Sequence, residues 1–368
     1  MTAMYRRETL NQTGLSLIEL MIAMVVGLVL MAGVLSIFLS SRQSYGINSA
    51  VAQIQENGRF ALNFVSTDAR KAGYMGCATS TTTVSYLNPA ADNLPYNFTQ
   101  AIYGFHFTGT VPGPTENPAP DPTASDWTPN LDAYLTGLIL PNTDVLVVRF
   151  AERDPIYITT ITSTTATSAT VNTLGAPDQT ALAPGDLFLA SNCLSSIVMQ
   201  ATSATSGTTL EYAGGGPAPG NISGDVLPQS FTGAMVVSPT TALFYIGKGA
   251  DGSPALIEAS TDTTQASGFS SQELVSGAEN MRVLYGVDLT SSQVPSEYVT
   301  ADVVDAANEW AQVVSVRIAL LLRSNTAAVP LPAAAPIYTL VDSPVTAPQD
   351  TRMRQVFIAT IGIRNSLP

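Results

Sequence analysis

Residues 14–38 read GLSLIELMIAMVVGLVLMAGVLSIF and hold one charged side chain, Glu19; residues 20–41 carry no charge, and the next is Arg42. A helix over those 22 uncharged residues, at ~1.5 Å per residue, is ~33 Å long and crosses a hydrocarbon core of ~30 Å. A secretory signal peptide fits poorly. The apolar run is long, no small-x-small cleavage site closes it, and Glu19 sits where such a peptide wants only apolar side chains. A plain single-pass anchor, with Arg6 and Arg7 held in the cytoplasm, accounts for the span but not for the carboxylate. A charge in a membrane segment costs up to ~2.5–3.5 kcal/mol at the centre and less near an end, so Glu19 needs a partner.

The stretch TGLSLIELMIAM resembles the class III signal of type IV prepilins: a short leader ending in glycine, a hydrophobic first mature residue, and a glutamate five residues into the mature chain. The resemblance implies cleavage by the prepilin peptidase between Gly14 and Leu15 on the cytoplasmic side, with Leu15 as the N-methylated terminus. Leu15 stands where most members have phenylalanine. Electrostatics agree with this reading. Cleavage creates a cationic amine on Leu15, and Glu19 then lies in the first turns of a helix, where the dipole favours an anion. A neighbouring subunit's terminal amine is the natural counter-charge when such helices pack side by side. At ~4 Å and an effective dielectric of about 20 the attraction is ~4 kcal/mol before desolvation is subtracted. Glu19 is therefore read as a subunit-pairing residue.

The 368 residues leave ample length for a core; 45% are apolar, 12% are charged, and the net charge is −13. This is neither a disordered acidic tail nor a highly charged cytosolic bundle. Lysine occurs only at Lys71 and Lys248, which argues against nucleic acid as the main partner, since a duplex-binding protein wants a basic face.

After the membrane span the helical pattern continues. Ile47, Val51, Ile54, Ala61, Val65, Ala69 and Ala72 recur at steps of three, four or seven, leaving Arg59, Asp68, Arg70 and Lys71 on other faces. Gly27, Gly33, Gly46 and Gly58 are soft points where a long helix can bend or partly melt, or else small packing residues. The end is expected at KAGYMGC, where Gly73 and Gly76 are natural stops. Beyond residue 77 the pattern turns to β. Residues 144–150, 186–191, 242–247, 281–288, 313–324 and 354–364 read as strands. Residues 156–173 alternate β-branched residues with threonine and serine, as solvent-facing hairpins do. Residues 272–288 contain a short helix-like piece, with Leu274, Val275 and Ala278 on one side, feeding a strand. Pro- and Gly-rich stretches at 111–123, 213–224 and 327–336 are surface loops within one head.

The expected fold is thus α+β and pilin-like: a long N-terminal helix, transmembrane and then amphipathic, followed by a β-rich globular head. Its expected parts are a cleaved leader (1–14), the transmembrane half of the helix (15–41), the periplasmic amphipathic half (42–76) and a periplasmic or extracellular head (77–368).

Five blocks sharpen the resemblance: DARKAGYMGC, GDLFLASNC, ELVSGAENMRVLYGVD, VVSVRIALLLRS and RMRQVFIATIGIRN. They are similar to the PilW family of large minor pilins of type IV pilus assembly. The resemblance implies a low-abundance subunit that joins other minor pilins and the major pilin, with a tip adhesin as a further candidate partner. It would sit in the inner membrane, N-terminus cytoplasmic and head periplasmic, and later at the pilus tip on the cell surface, in a small complex that primes filament growth. In the oxidising periplasm, Cys77 and Cys193 are expected to form a disulfide; the alternative is two separate buried thiols.

No catalytic site is expected. The one histidine, His106, lies between Phe105 and Phe107, where a satisfied or partly exposed side chain is expected. No nucleophile elbow or phosphate-cradling loop appears. Two cysteines and His106 make no metal-ligand set, so no metal or other cofactor is implied. Residues 247–254, GKGADGSP, hold Asp251 in a glycine-rich setting but lack the alternating oxygen ligands of a calcium loop, and read as a hairpin turn. Asp302 and Asp305 could form a glycosidase acid–base pair, but no sequence feature places them in a cleft. Two other functional readings stand beside the minor pilin. One is a J-type pseudopilin of type II secretion, a type usually much shorter. The other is an adhesin or ligand-binding module on a pilin anchor.

Overall fold

The computed structural model describes residues 16–79, 82–88, 94–109, 123–132, 134–165, 168–174, 182–205, 209–224 and 227–366. A single helix, α1 (Leu17–Lys71), opens the chain and runs 55 residues without a break. It stops where the sequence predicts, at Gly73 (φ +78°) and Gly76 (φ +73°), a backbone conformation that costs a β-carbon-free residue least. The head then builds β1 (Ile102–Phe107), β2 (Val145–Thr165), β3 (Ser168–Leu174), β4 (Leu187–Ser191), β5 (Ser196–Gln200) and β6 (Met235–Lys248). It continues with β7 (Pro254–Thr261), β8 (Phe269–Ser276), β9 (Ala278–Val287), the short helix α2 (Ala301–Ala307), β10 (Val313–Ala327) and β11 (Arg352–Gly362). The long N-terminal helix with its β-rich head makes the fold α+β, as the sequence implies.

Among the described residues the strands form two principal sheets, one of twelve strands and one of four. In the larger, β2 and β6 are antiparallel neighbours with Leu146 opposite Phe244 and Val147 opposite Leu243. Side-chain alternation therefore sends Leu146, Val148, Phe244 and Ile246 to one core, and Val145, Val147, Leu243 and Tyr245 to another on the opposite face. The smaller sheet contains β9, β10 and β11, with Val283 opposite Ile318 and Ala319 opposite Ile358. One continuous core lies between α1, the smaller sheet and one face of the larger.

The predicted helical stripe is the seam. Ile54, Ala61, Val65, Ala69 and Ala72 are buried there, joined by Ala50 and Gly58, while Ile47 and Val51 are half-buried. Gly58 is no break in the helix. A β-carbon on it would lie 2.5 Å from the Phe357 ring of β11, so its missing side chain is the seat for that ring. Gly27, Gly33 and Gly46 face open space.

Three sequence expectations change. Residues 272–288 contain no helical piece: they are β8 and β9, separated by Gly277 (φ +85°). Spacing alone cannot settle so short an apolar run, and here the backbone bonds to β7 decide, with Val275 opposite Leu256. Gly277 is the point where the chain leaves the larger sheet for the smaller, and a β-carbon there would meet the Arg323 carbonyl at 2.7 Å. Residues 145–150 and the stretch after them form one strand of 21 residues, which pairs with β3 as a hairpin. That hairpin is not wholly solvent-facing, because Ile158 and Ile161 are buried against Phe188 and Tyr212. Finally, part of 213–224 is packed: Asn221, 2% exposed, donates to the Gln200 and Ala213 carbonyls at 2.8 and 3.0 Å. Residues 111–122 lie outside the described residues.

Replacing Gly58 with valine should expel Phe357 from the seam and lower the unfolding free energy by about 2–4 kcal/mol, the range for disrupting a packed core site. Gly46→Val, in open space, is the control. Denaturant unfolding of both variants in detergent checks this, and equal stabilities would contradict the seat.

Candidate assembly interface and polar sites of the head

The first half of α1 is bare. From Leu17 to Leu39 its large side chains are exposed, Leu17 at 78% and Leu28 at 70%, and this is the one helix long and apolar enough to cross a membrane among the described residues. Ser16 precedes it, with its carbonyl accepting from the Glu19 and Leu20 amides at 3.0 and 3.2 Å. Glu19 lies in the first turn, exposed, with no ion pair to any other described residue. Gly14 and Leu15 lie outside the described residues.

At its other end α1 is tied down. Lys71 bonds Asp68 at 2.9 Å and Glu152 of β2 at 2.6 Å, and its ammonium sits 4.8 Å from the centre of the Phe150 ring. Partial burial pulls the Lys71 pKa down, but the bonds to Glu152 and Asp68 more than offset that and hold it above the ordinary lysine value. The Gly73 amide donates to the Arg149 carbonyl at 2.9 Å. Just beyond, Cys77 and Cys193 are joined as a disulfide, with Cα atoms 4.6 Å apart. The bridge fastens the segment leaving α1 to the β4–β5 turn, beside which Thr83–Ser85 runs parallel to β5.

Inside the head, Asp144 is a hub that the sequence reading passed over. It is 2% exposed. Its Oδ1 takes bonds from Arg282 Nη1 and His106 Nδ1, both at 3.0 Å, and from the Phe107 amide at 3.2 Å. Its Oδ2 accepts from the Val283 amide at 2.9 Å. Arg282 also bonds the Asn142 side chain. One carboxylate thus joins β1, the start of β2 and β9, so His106 is a satisfied, partly exposed residue as its sequence context suggests. An aspartate opening a run as apolar as VLVVRF was the available signal.

Residues 247–254 form the β6–β7 turn, with Gly252 at φ +78° and Asp251 accepting from the Ser253 amide at 2.8 Å. Asp305 lines a cleft, which no sequence feature signals, and Asp302 does not. No cluster of three or more potential metal ligands occurs among the described residues.

Residues 243–365 match the family model for the type IV pilus-assembly protein W, and residues 9–35 match that of the prokaryotic N-terminal methylation motif. The chain carries a PilW domain behind a prepilin signal. The two matches support a role in type IV pilus assembly, that of a minor pilin, and families of this kind are structural. No curated protein and no solved structure matches it. The PilW domain begins midway along β6 and takes in all of β7–β11 and α2, which includes the sheet that seats α1. Both cysteines and Asp144 lie outside it.

Two measurements follow. Replacing both cysteines with serine should lower the unfolding free energy by about 2–5 kcal/mol, since a bridge closing so long a loop constrains the unfolded chain; urea unfolding reads this directly. Asp144→Asn keeps the shape but leaves Arg282 buried without its counter-charge, and should cost about 3–5 kcal/mol. A cost under about 1 kcal/mol would mean that the amide serves the hub as well as the charge does.

Proposed function

We propose that the chain is a minor pilin of the tip complex that initiates type IV pilus assembly. On this reading it is cut between Gly14 and Leu15 and methylated on Leu15. It is held in the inner membrane by residues 15–41, with residues 42–76 and the head in the periplasm, and is then displayed at the pilus tip. Its partners are other minor pilins, the major pilin and the prepilin peptidase, with a tip adhesin as a further candidate, and it acts by assembly and not by catalysis.

The observation that carries the reading is the bare half of α1, with Glu19 as the charged residue in its first turn. An exposed apolar rod in water would aggregate, so it has to be covered by lipid or by similar helices. Moving between those two environments is what filament assembly requires. In a bundle of such helices the Glu19 carboxylate has a partner ready, the terminal amine of a neighbouring subunit.

Glu19→Gln tests the pairing, because it keeps shape and hydrogen bonding but removes the charge. The variant should insert, fold its head and show a mature N-terminus at Leu15 by mass spectrometry. Copurification with other pilins and the number of surface pili should both fall sharply. Wild-type copurification and piliation would refute the charge pairing, and an intact leader on the wild-type protein would refute the prepilin reading.

A further inference from the structure

The head contains a second polar site, lined by no residue of α1. A cleft of about 330 Å³ opens beside β1, walled by residues 94–105, the 130–132 loop and the α2–β10 connection. That volume falls within the ~300–1,000 Å³ of small-molecule sites. Arg149 of β2 lines it while being only 1% exposed. The other arginines buried in the head have carboxylates: Arg282 has Asp144, and Arg354 has Glu279 and Asp350. Arg149 has none among the described residues. It donates only to the Gln100 and Leu94 carbonyls, at 3.3 and 3.1 Å, and its Nε has no partner. A guanidinium removed from water and left short of acceptors costs free energy that a bound ligand can recover.

The rest of the lining says what that ligand is. Asp305 and Asp132 share the cleft with Arg149. Asp305 Oδ1 already accepts from Trp310 Nε1 at 3.0 Å and Tyr103 Oη at 3.4 Å, and Asp132 Oδ1 from the Tyr134 amide at 2.9 Å. Each carboxylate keeps a second oxygen. Burial, with the Asp305 charge adding, pushes Tyr103 up to about 12, so it stays a proton donor; burial pulls Arg149 down to about 10, where it is still charged at neutral pH. Around these sit the amides of Asn97, Asn130 and Asn308. An anionic ligand would meet two carboxylates, and a cationic one would meet a buried guanidinium. A ligand with adjacent neutral hydroxyls satisfies both, donating to the aspartates and accepting from the arginine and amides. We propose that this cleft binds a neutral sugar residue. The walls come from both sides of the PilW boundary, Asp305, Asn308 and Trp310 inside it and Arg149 outside, so the site belongs to the assembled head.

The test uses the full chain in a detergent without a sugar headgroup. Methyl mannoside, methyl galactoside and N-acetylglucosamine are titrated by ligand-observed NMR, with galacturonate as the anionic arm. Two variants leave the buried arginine in place. Asp132→Asn removes a charge but keeps an acceptor, and Asn308→Gly deletes an amide while tolerating its positive φ of 57°. Saturable binding of at least one neutral sugar, weakened about tenfold or more by either substitution, is the expected result. Thermal unfolding confirms that both variants are folded. Three results would each overturn the proposal: no neutral sugar binding up to about 20 mM, binding of galacturonate alone, or neutral-sugar binding unchanged in both variants.

Discussion

Half of a 55-residue helix is exposed against the described residues of its own chain, so its direction is set by how the other half is held. That hold is the seam in which Gly58, Ala61, Val65 and Ala69 meet β10 and β11, with the Phe357 ring seated where Gly58 lacks a side chain. Small residues let the helix approach the sheet closely. Dispersion and burial are modest for each of them and accumulate along the stripe. Lys71 closes the seam with charge, reaching Glu152 on the larger sheet. The second half of α1 is thereby tied to both sheets.

The strands of the head are themselves joined by polar groups. Polar groups at the junctions are paired across strands that are distant in sequence: Glu279 of β9 binds Arg323 of β10 at 3.0 Å and Arg354 of β11 at 2.5 Å, and Asp144 ties β9 to β1. Such buried pairs contribute little net stability over apolar packing, but breaking one leaves a stranded charge, which resists slippage between strands. The disulfide acts at the exit of α1, fastening that segment to the β4–β5 turn. Arg149 stands apart from this pattern, a buried cation without an anion, and for that reason marks a ligand site where the others mark joints.

The family match covers only part of the head. The PilW match takes in the sheet that seats α1 together with its surroundings. The residues before it include both cysteines, Asp144 and most of the cleft's walls.

The sequence by itself determined the long apolar N-terminal helix, its end at Gly73 and Gly76, the buried stripe at Ile54, Ala61, Val65, Ala69 and Ala72, and the positions of most strands. Each is a local property: hydropathy over one span, a period of 3.6 or of 2, a glycine where φ is positive. The prepilin signal was legible for the same reason, being one contiguous stretch. Only tertiary structure decided that Gly58 is a seat and not a hinge, because the ring that fills it arrives from residue 357. It also decided that residues 272–276 are a strand, since their partner β7 lies elsewhere in the chain, and that Asp144, His106 and Arg282 meet. Arg149 was visible as a cation in an apolar strand, but its lack of a carboxylate depends on what lies around it. Pairing and burial between distant residues have no periodicity to read, so the joints and the cleft existed only once the chain had folded.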